Sequence, residues 1–228
     1  MSRNNLALVE YVKKFVGSPY WYGMFGQVAT EKLLSDKRAQ YPGHYGNARM
    51  SKYRSQLGKR VFDCIGMVKG YMWTDPAGNV RYNGMEDWNA NGTLQRCREK
   101  GVISTMPDLP GVLVFFPDHV GIYIGNGEVI EARGFDYGVV KTRLNQRPWR
   151  HWGKHPLIQY TDPNQSFLEV NNRLIKDAPV KNVAGRIFVE LEGENGRKHW
   201  IQIRALSELL NAQLSWDGDT KTAKMFTR

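Results

Sequence analysis

The sequence has 228 residues, a net charge of +10, and fractions of hydrophobic (41%) and charged (24%) residues that are ordinary for a folded protein. Its length suits one large domain, or one domain and a small module, and its composition excludes wholesale disorder. No apolar run approaches the ~20 residues that cross a bilayer, and residues 1–5 lead into a charged helical pattern instead of an apolar signal core. We therefore expect no membrane insertion and no signal peptide.

The positive charge is concentrated in residues 1–165, where lysine and arginine clearly outnumber the acids. A basic surface favours anionic partners, but no dense run of Lys and Arg indicates nucleic acid. The two cysteines, Cys64 and Cys97, are too few for a disulfide framework. We interpret Cys97 as structural, and a bridge between the two is the less favoured alternative.

The first predicted element is an amphipathic helix over residues 5–16. Its apolar stripe is formed by Leu8, Val9, Val12, Phe15 and Val16. An aromatic turn follows, in which Tyr20, Trp21 and Tyr22 either pack in the core or line a groove. Residues 24–60 are polar and basic, and we expect them to form a solvated helical insertion whose function the sequence does not reveal.

The next segment carries apolar residues at helical spacing, namely Ile65, Val68, Tyr71 and Met72. This pattern predicts a helix with Cys64 in its first turn, where unpaired amides and the helix dipole favour the thiolate. A free cysteine is more commonly a small buried core residue, and this segment alone favours that interpretation over a nucleophile. A second short helix is predicted over residues 93–101, with Gly101 as its C-terminal cap.

From residue 112 onward the pattern changes to strands, and a helix followed by an antiparallel sheet predicts an α+β fold. The expected strands span residues 112–116, 119–124, 128–132 and 138–142. A three-residue loop at 125–127 would place Ile122 opposite Ile130 and Ile124 opposite Glu128. One face of this hairpin would then be buried through its apolar residues, Val120, Ile122, Ile124 and Ile130.

The same register puts His119, Gly121 and Glu131 on the other face, with Gly121 leaving open space between its two neighbours. Glu131 lies diagonal to His119, at roughly 7 Å between backbones, and two long side chains can bridge that gap. A two-residue loop would instead separate them. A cysteine hydrolase needs a thiolate, an imidazole that carries a proton and a polar group that orients the imidazole. Cys64, His119 and Glu131 fill these roles in that order.

A zinc hydrolase is the rival mechanism. His151 and His155 have the spacing of two ligands on a helix, but Pro156 follows at once and no HExxH motif is present. The neighbouring Trp149 and Trp152 indicate packing. We therefore expect neither a metal nor another cofactor.

Three segments in combination resemble the NlpC family of bacterial cell-wall cysteine peptidases. Phe62-Asp63-Cys64-Ile65-Gly66 is similar to its Asp-Cys-Ser-Gly signature, and Ser-Pro-Tyr-Trp-Tyr-Gly at 18–23 resembles its Pro-Tyr-x-Trp-Gly segment. Residues 110–116 and 119–125 resemble its Gly-Asp-Leu-Val-Phe-Phe and His-Val-Gly-Ile-Tyr block. The resemblance spans most of residues 6–160.

By this resemblance the fold is papain-like, with Cys64 as the nucleophile and His119 as the base. The sequence departs from the family pattern at Ile65, which replaces a serine, and in the insertion at 24–60, which separates the motifs. Glu131 stands where many members have a second histidine, so a backbone carbonyl near His119 is an alternative orienting group.

The resemblance also implies a substrate site. Tyr20 would position the substrate or polarise the oxyanion, Trp21 and Tyr22 would lie beside it, and Asp63 would lie near the amino end of the bound peptide. Members of the family cleave peptidoglycan stem peptides, commonly between D-glutamate and the diamino acid.

Residues 161–166 are polar and turn-rich, and we expect them to link a domain at 1–160 to a small α+β module at 167–228. The module should contain a hairpin, a strand, a helix and a strand–turn–strand, at residues 167–174, 185–191, 200–210 and 214–224. The pattern resembles the copper amine oxidase N-terminal-like domain, although no copper-ligand set is visible. By this resemblance the module binds the cell wall or acts as a spacer.

The sequence therefore predicts a two-domain peptidoglycan hydrolase without a cofactor. Lytic chemistry without a signal peptide suggests a phage endolysin, made in the host cytoplasm and acting on peptidoglycan and anionic wall polymers after release. Two alternatives remain open. One is an N-acetylmuramoyl-L-alanine amidase with the same Cys–His site, and the other is a non-catalytic wall-binding protein.

Overall fold

The structure is a computed structural model that describes residues 3–75, 77–84, 86–161, 166–170, 173–183, 186–192, 198–209, 212–217 and 222–226. The chain divides into two compact units, Met1–Thr161 and Asp162–Arg228. The linker expected at 161–166 falls mainly on residues 162–165, which lie outside the described residues, and Ser166 already begins a strand. Among the helices of the described residues, none is long and apolar enough to cross a membrane.

The first unit combines short helices with antiparallel strands. Its helices are α1 Asn5–Lys13, α2 Glu31–Gln40, α3 Met50–Arg54, α4 Gly66–Trp73 and α5 Ala90–Arg96. Its strands are β1 Phe25–Val28, β2 Arg60–Phe62, β3 Lys100–Val102, β4 Leu113–Phe116, β5 His119–Gly125, β6 Glu128–Ala132, β7 Val139–Arg143 and β8 His151–Gly153. Strands β1 and β2 pair with each other, and the other six form one sheet in the order β3-β8-β4-β5-β6-β7. The α+β class expected from the sequence is confirmed.

The main core of this unit lies between the sheet and helices α1 and α4. The apolar stripe of α4 is buried against inward-facing residues of β4, β5 and β6, which include Leu113, Val120, Ile122 and Ile130. Each fully buried aliphatic side chain contributes roughly 1.5–3 kcal/mol, so this layer holds the start of α4 at a fixed position over the sheet. The helix stripe predicted at residues 5–16 is correct in part, because Val16 lies beyond α1 and is 48% exposed.

The second predicted helix is shifted in the structure. Helix α5 begins earlier, where the side chain of Asn89 accepts a hydrogen bond from the amide of Gly92 at 2.7 Å, and it ends at Arg96, before Cys97. Gly101 is therefore not a helix cap, since it lies in β3 and pairs with Trp152 of β8. Cys97 is buried, and both cysteines are free thiols.

The insertion at 24–60 is more than a solvated excursion. It contains β1, α2, α3 and the start of β2, so its helical content was predicted correctly. However, it also encloses a second core, whose buried residues are Trp21, Met24, Ala29, Leu34, Tyr45, Met50, Tyr53 and Val61. The polar composition hid this core because the aromatic residues that form it are widely spaced along the sequence.

The β5–β6 hairpin keeps the predicted faces but not the whole predicted register. Ile122 lies opposite Ile130, as expected, but Gly125 and not Ile124 lies opposite Glu128, with an irregularity between these pairs. The three-residue loop expected at 125–127 is wrong, because Gly125 ends β5 and only Asn126 and Gly127 form the loop. All three residues have positive φ, and the irregularity between Tyr123 and Gly125 restores the predicted faces despite the shorter loop. The irregularity lies on the loop side of Ile122, so the pairing that sets the face of Glu131 is unaffected.

The second unit is a six-stranded sheet with one helix among its described residues. Its elements are β9 Ser166–Val170, β10 Arg173–Val183, β11 Arg186–Glu192, β12 Lys198–Gln202, α6 Ile203–Leu209, β13 Gln213–Asp217 and β14 Thr222–Phe226. The strand order is β12-β11-β10-β9-β14-β13, and the β14–β9 pair is parallel. Its core is formed by Val180, Val189, Ile203, Ala223 and Met225.

The predicted hairpin, single strand and closing strand pair of this unit are present. The helix expected at 200–210 is partly wrong, because residues 200–202 complete β12 and the helix begins at Ile203. The Asp-Gly turn predicted after Asp217 lies outside the described residues.

Candidate active site

Cys64 lies in the turn immediately before α4, so it precedes the first helical turn that the sequence predicted for it. Its Sγ is 3.9 Å from the carbonyl oxygen of Asp118 and also receives a hydrogen bond from the amide of Val120. Asp118 and Val120 flank His119 in the chain. The thiol therefore lies beside the start of β5, which carries the imidazole.

The surroundings of Cys64 favour the neutral thiol over the thiolate. Burial, together with the neighbouring charge of Asp63, raises the pKa of Cys64 to about 12, although backbone amides that include those of Ile65 and Val120 act in the opposite direction. Backbone amides favour the thiolate, as expected for this position, but the desolvation of the thiol outweighs them. A base must therefore remove the proton when the sulfur attacks.

His119 is held by a buried carboxylate. Its Nε2 is 2.7 Å from Oε2 of Glu131, whose side chain has no exposed surface. The contact joins the two residues that the hairpin register placed on one face. Because Nε2 is engaged in this way, Nδ1 is the ring nitrogen that remains for the thiol proton.

Glu131 has two further partners, Arg147 and Thr142. Arg147 donates to both carboxylate oxygens, with Nε 2.8 Å from Oε1 and Nη2 3.0 Å from Oε2, and the hydroxyl of Thr142 donates to Oε1 at 2.9 Å. Burial works against the ionised form, but the hydrogen bonds from His119, Arg147 and Thr142 outweigh it and lower the pKa of Glu131. Glu131 is therefore an ionised acceptor, as an orienting group requires.

Two aromatic rings stack on the imidazole. The ring centroid of His119 is 4.7 Å from that of Phe116 and 5.7 Å from that of Trp149, at interplanar angles of 27° and 18°. Trp149 also fills the space expected to be open at Gly121, where a Cβ atom would lie 2.8 Å from the indole ring. Gly121 thus makes room for a ring that fixes His119.

A cavity of about 810 Å³ opens in front of Cys64. Three of the predicted substrate-site residues line it, namely Tyr20, Tyr22 and Asp63. One wall comes from α2 and the residue after it, through Leu33, Asp36, Lys37, Gln40 and Tyr41. The insertion whose role the sequence left open therefore forms part of the candidate binding site.

Asp63 joins the aromatic turn to the helix that follows Cys64. Its Oδ2 accepts a hydrogen bond from the amide of Gly23 at 2.9 Å, and its Oδ1 accepts one from the amide of Gly66 at 2.6 Å. Burial raises the pKa of Asp63, against the effect of these two amides and of the Lys69 charge. Tyr20 lies next to this carboxyl group, and burial followed by the charges of Asp63 and Cys64 raises the pKa of its phenol.

Trp21 and Tyr22, although adjacent in the chain, differ in their exposure to the cavity. Trp21 was placed in the substrate site, but it is fully buried in the second core, where its Nε1 donates to Oε1 of Gln56 at 2.7 Å. It cannot contact a substrate. Tyr22 is 36% exposed, and its ring stacks on His44 with centroids 3.7 Å apart.

The histidine pair of the zinc hypothesis does not lie on a helix. His151 is exposed on β8, whereas His155 is buried after the strand, where its Nδ1 accepts from the amide of Leu157 at 3.3 Å. Among the described residues, no group of three or more His, Cys, Asp or Glu side chains could hold a metal ion.

Sequence reasoning missed Arg147, Trp149 and the wall formed by α2. A signal for the first existed, because Glu131 stands within an apolar strand pattern and a buried carboxylate needs a charged or hydrogen-bonding partner. Periodicity gave no indication of which cation that would be. Arg147 follows the last strand of the β5–β7 meander, in a segment without regular spacing.

A thiol before a helix, an imidazole at the start of an antiparallel strand and a carboxylate that orients it define the arrangement of a cysteine hydrolase. Residues 45–157 match the NlpC/P60 family, and the chain contains an NlpC/P60 family domain, of the papain-like α+β fold class, over these residues. The matched segment includes Cys64, His119, Glu131 and Arg147. Tyr20 and α2 precede it.

Solved structures of the same family are similar to this chain at low identity. NlpC2 from Trichomonas vaginalis is 19% identical, with 68% of this chain and 48% of that chain covered and a TM-score of 0.39. This chain therefore spans about half the length of that protein. The NlpC/p60 domain of the peptidoglycan hydrolase SagA is 17% identical, with 66% and 98% covered and a TM-score of 0.40.

The peptidoglycan hydrolase RipB from Mycobacterium tuberculosis is 20% identical, with 70% of each chain covered and a TM-score of 0.40. The comparison with curated proteins gave no significant match. The family assignment rests on the sequence match at 45–157.

Proposed function

We propose that this protein is a peptidoglycan hydrolase that cleaves stem peptides at the bond between γ-D-glutamate and the diamino acid. Members of the NlpC/P60 family are cysteine peptidases that act on peptidoglycan. The observation that carries the proposal is the position of the Cys64 thiol beside β5, together with the 2.7 Å contact between His119 and Glu131. A protein that only binds the wall has no need of this constellation.

In the first half of the reaction, Nδ1 of His119 takes the thiol proton as Sγ of Cys64 attacks the scissile carbonyl carbon. The protonated imidazole then gives this proton to the leaving amine, and a thioester remains on Cys64. Glu131 stabilises the imidazolium and keeps Nδ1 directed at the sulfur. The phenol of Tyr20 has a raised pKa, stays protonated and is a suitable donor to the developing oxyanion.

In the second half, His119 takes a proton from a water molecule, which attacks the thioester carbonyl. The sulfur leaves and recovers the proton from the imidazolium, which restores the thiol. The product leaves as a carboxylic acid and loses its proton to water. No residue beyond Cys64, His119 and its orienting partners is needed for these proton transfers.

The test is digestion of purified peptidoglycan by the wild type and by Cys64→Ala, with mass spectrometry of the released fragments. We expect new amino termini on the diamino acid, and none with Cys64→Ala. Cys97→Ala is the matched control, since Cys97 is a buried thiol that does not line the cavity, and it should leave the fragments unchanged.

Other products would change the assignment. Intact stem peptides with a free amino-terminal alanine, together with glycan freed of peptide, would mean that the same thiol acts as an N-acetylmuramoyl-L-alanine amidase. If no wall gives fragments that depend on Cys64, hydrolysis is excluded and the alternative of a wall-binding protein stands.

We also propose that the second unit and the positive charge hold the enzyme on peptidoglycan and anionic wall polymers. We propose in addition that the enzyme is a phage endolysin, which reaches the wall from the host cytoplasm. The net charge of +10 supports retention on the wall, as does the resemblance of residues 167–228 to the copper amine oxidase N-terminal-like domain. Charge attraction weakens once the Debye length falls to ~3 Å at 1 M salt. The fraction of the Cys64→Ala variant that sediments with purified cell walls should therefore decrease as the salt concentration rises. A bound fraction that does not change with salt would contradict this role of the charge.

A further inference from the structure

The wall of the cavity contributed by α2 carries a lysine in an unusual position. Helix α2 begins at the Thr30 cap, whose hydroxyl accepts from the amide of Leu33 at 3.1 Å. Leu34 is buried in the second core, and this contact fixes the rotation of the helix. Leu33, Lys37 and Gln40 follow each other at spacings of four and three, so they form one stripe along the cavity.

Lys37 lies near the catalytic end of this cavity. A Cβ atom on Gly23 would be 3.5 Å from its Nζ, and the amide of Gly23 is itself hydrogen-bonded to Asp63, the residue before Cys64. The side chain is half-buried. Burial lowers the pKa of Lys37, against the attraction of Asp63, Asp36 and Asp87.

The other charged groups of the cavity are already satisfied. Lys69 is paired with Asp87, Asp36 with Lys32 at 2.8 Å, and Asp118 accepts from Asn91 at 2.6 Å. Asp63 accepts its two amides.

Lys37, by contrast, has no carboxylate within ion-pair distance among the described residues. Its Nζ donates to Oε1 of Gln40 at 2.9 Å and lies 5.2 Å from the centroid of the Tyr41 ring. An ammonium group has three donors, so most of its hydrogen-bonding capacity remains for a ligand.

We propose that Lys37 binds a carboxylate of the stem peptide and thereby selects substrates that carry it. The inference rests on the proposed function. A γ-linked glutamate keeps its α-carboxylate free, a few bonds from the scissile carbonyl, and this group is the one that Lys37 would meet. The side-chain carboxylate of a diamino acid offers the same chemistry from the other side of the bond.

The test uses the full-length protein and three soluble stem peptides. The first has a free glutamate α-carboxylate and a diamino acid with a side-chain carboxylate, the second has the α-carboxylate amidated, and the third has lysine as the diamino acid. Kinetics of the wild type, Lys37→Met and Lys37→Arg are compared. Lys59→Met is the control, because Lys59 is an exposed lysine of the same insertion that does not line the cavity.

We expect Lys37→Met to lower kcat/KM on the first peptide on the order of tenfold, which is the effect of one charge-assisted hydrogen bond. On the amidated peptide, kcat/KM of the variant should stay within about twofold of the wild-type value. Lys37→Arg should restore most of the loss, and Lys59→Met should change nothing. If the loss disappears instead on the third peptide, the carboxylate belongs to the diamino acid.

An equal effect of Lys37→Met on all three peptides would overturn the inference and leave the proposed function intact. If the wild type cleaves none of the three peptides, the proposed function itself fails. These two failures are thus distinguished by the wild type alone.

Discussion

Arg147 orients His119 indirectly, through its hydrogen bonds to Glu131. It donates two hydrogen bonds to Glu131, whose carboxylate has no exposed surface, while the arginine itself is 17% exposed. Glu131 therefore depends on a cation that also keeps it ionised. Since Arg147 contacts neither the thiol nor the cavity lining, it is a positioning residue.

We expect Arg147→Gln to lower kcat at least about tenfold with little change in KM, because the imidazole loses its orientation and not its substrate. The acid limb of the pH–rate profile should move to higher pH, because the pKa of Glu131 rises when the hydrogen bonds from Arg147 are lost. Arg147→Lys keeps the charge but loses the planar guanidinium group. It should therefore restore the wild-type position of the acid limb more fully than it restores kcat.

Arg143→Gln is the control for the preceding comparison, because Arg143 is exposed and contacts Glu128 at 4.0 Å. A purely structural role for Arg147 would lower the free energy of unfolding and leave the pH limb in place. This result would contradict the positioning role.

At the level of residues, the sequence revealed the groups that share a local periodicity. His119 and Glu131 were found by alternation in a hairpin, which sets faces regardless of the rest of the fold. Cys64 was identified as the nucleophile only in combination with them, because its helical context alone favoured a buried core cysteine. The protonation state of Cys64 was not accessible in this way. It depends mainly on the desolvation of the thiol, which arises only when the folded protein buries it.

The insertion at 24–60 shows the same limit for whole elements. Its helices were predictable from their sequence, but the core that it shares with Trp21 depends on contacts between distant residues. The ring centroid of Trp21 lies 5.1 Å from that of Tyr53 and 6.0 Å from that of Tyr45. Within this one aromatic turn, Tyr20 and Tyr22 therefore line the cavity, whereas Trp21 between them is part of the buried core.

Neighbouring substitutions in this turn should separate stability from activity. Trp21→Ala removes a fully buried ring and leaves Gln56 without its donor, so we expect the free energy of unfolding to fall by about 3–5 kcal/mol. Tyr22→Ala should cost less than about 1.5 kcal/mol but raise KM, because Tyr22 is partly exposed and lines the cavity. Urea unfolding and peptide hydrolysis measure the two effects. A larger stability loss for Tyr22→Ala than for Trp21→Ala would contradict this division.

At the scale of the molecule, resistance to acid should depend on a histidine outside the active site. Burial, with a smaller effect of the Arg3 charge, lowers the pKa of His155 from 6.5 to about 4. The unfolded chain therefore binds a proton first, so the stabilisation is complete above pH 6.5 and is lost as the pH falls toward 4. Glu131 acts in the same direction, but only below its ordinary pKa of 4.5.

We expect the free energy of unfolding of the first unit to fall by about 2 kcal/mol between pH 7 and pH 5 through His155 alone. His155→Phe should remove this slope, whatever its effect on stability at pH 7. His151→Asn, at the exposed histidine of the same segment, should preserve it. Urea unfolding at the two pH values gives the comparison, and an unchanged slope in His155→Phe would contradict the assignment.

The parallel pairing of β14 with β9 has a consequence for how the second unit forms. Residues 222–225 of the last described strand lie beside residues 167–170 of the first, so the middle of the sheet joins segments from opposite ends of the unit. During synthesis, β9 has one edge without a partner until β14 has left the ribosome, and an open edge can pair with another chain. Hairpins β9–β10 and β10–β11 can form early, but closure is a long-range step and therefore a slow one. Chains shortened before residue 222 should consequently aggregate through β9.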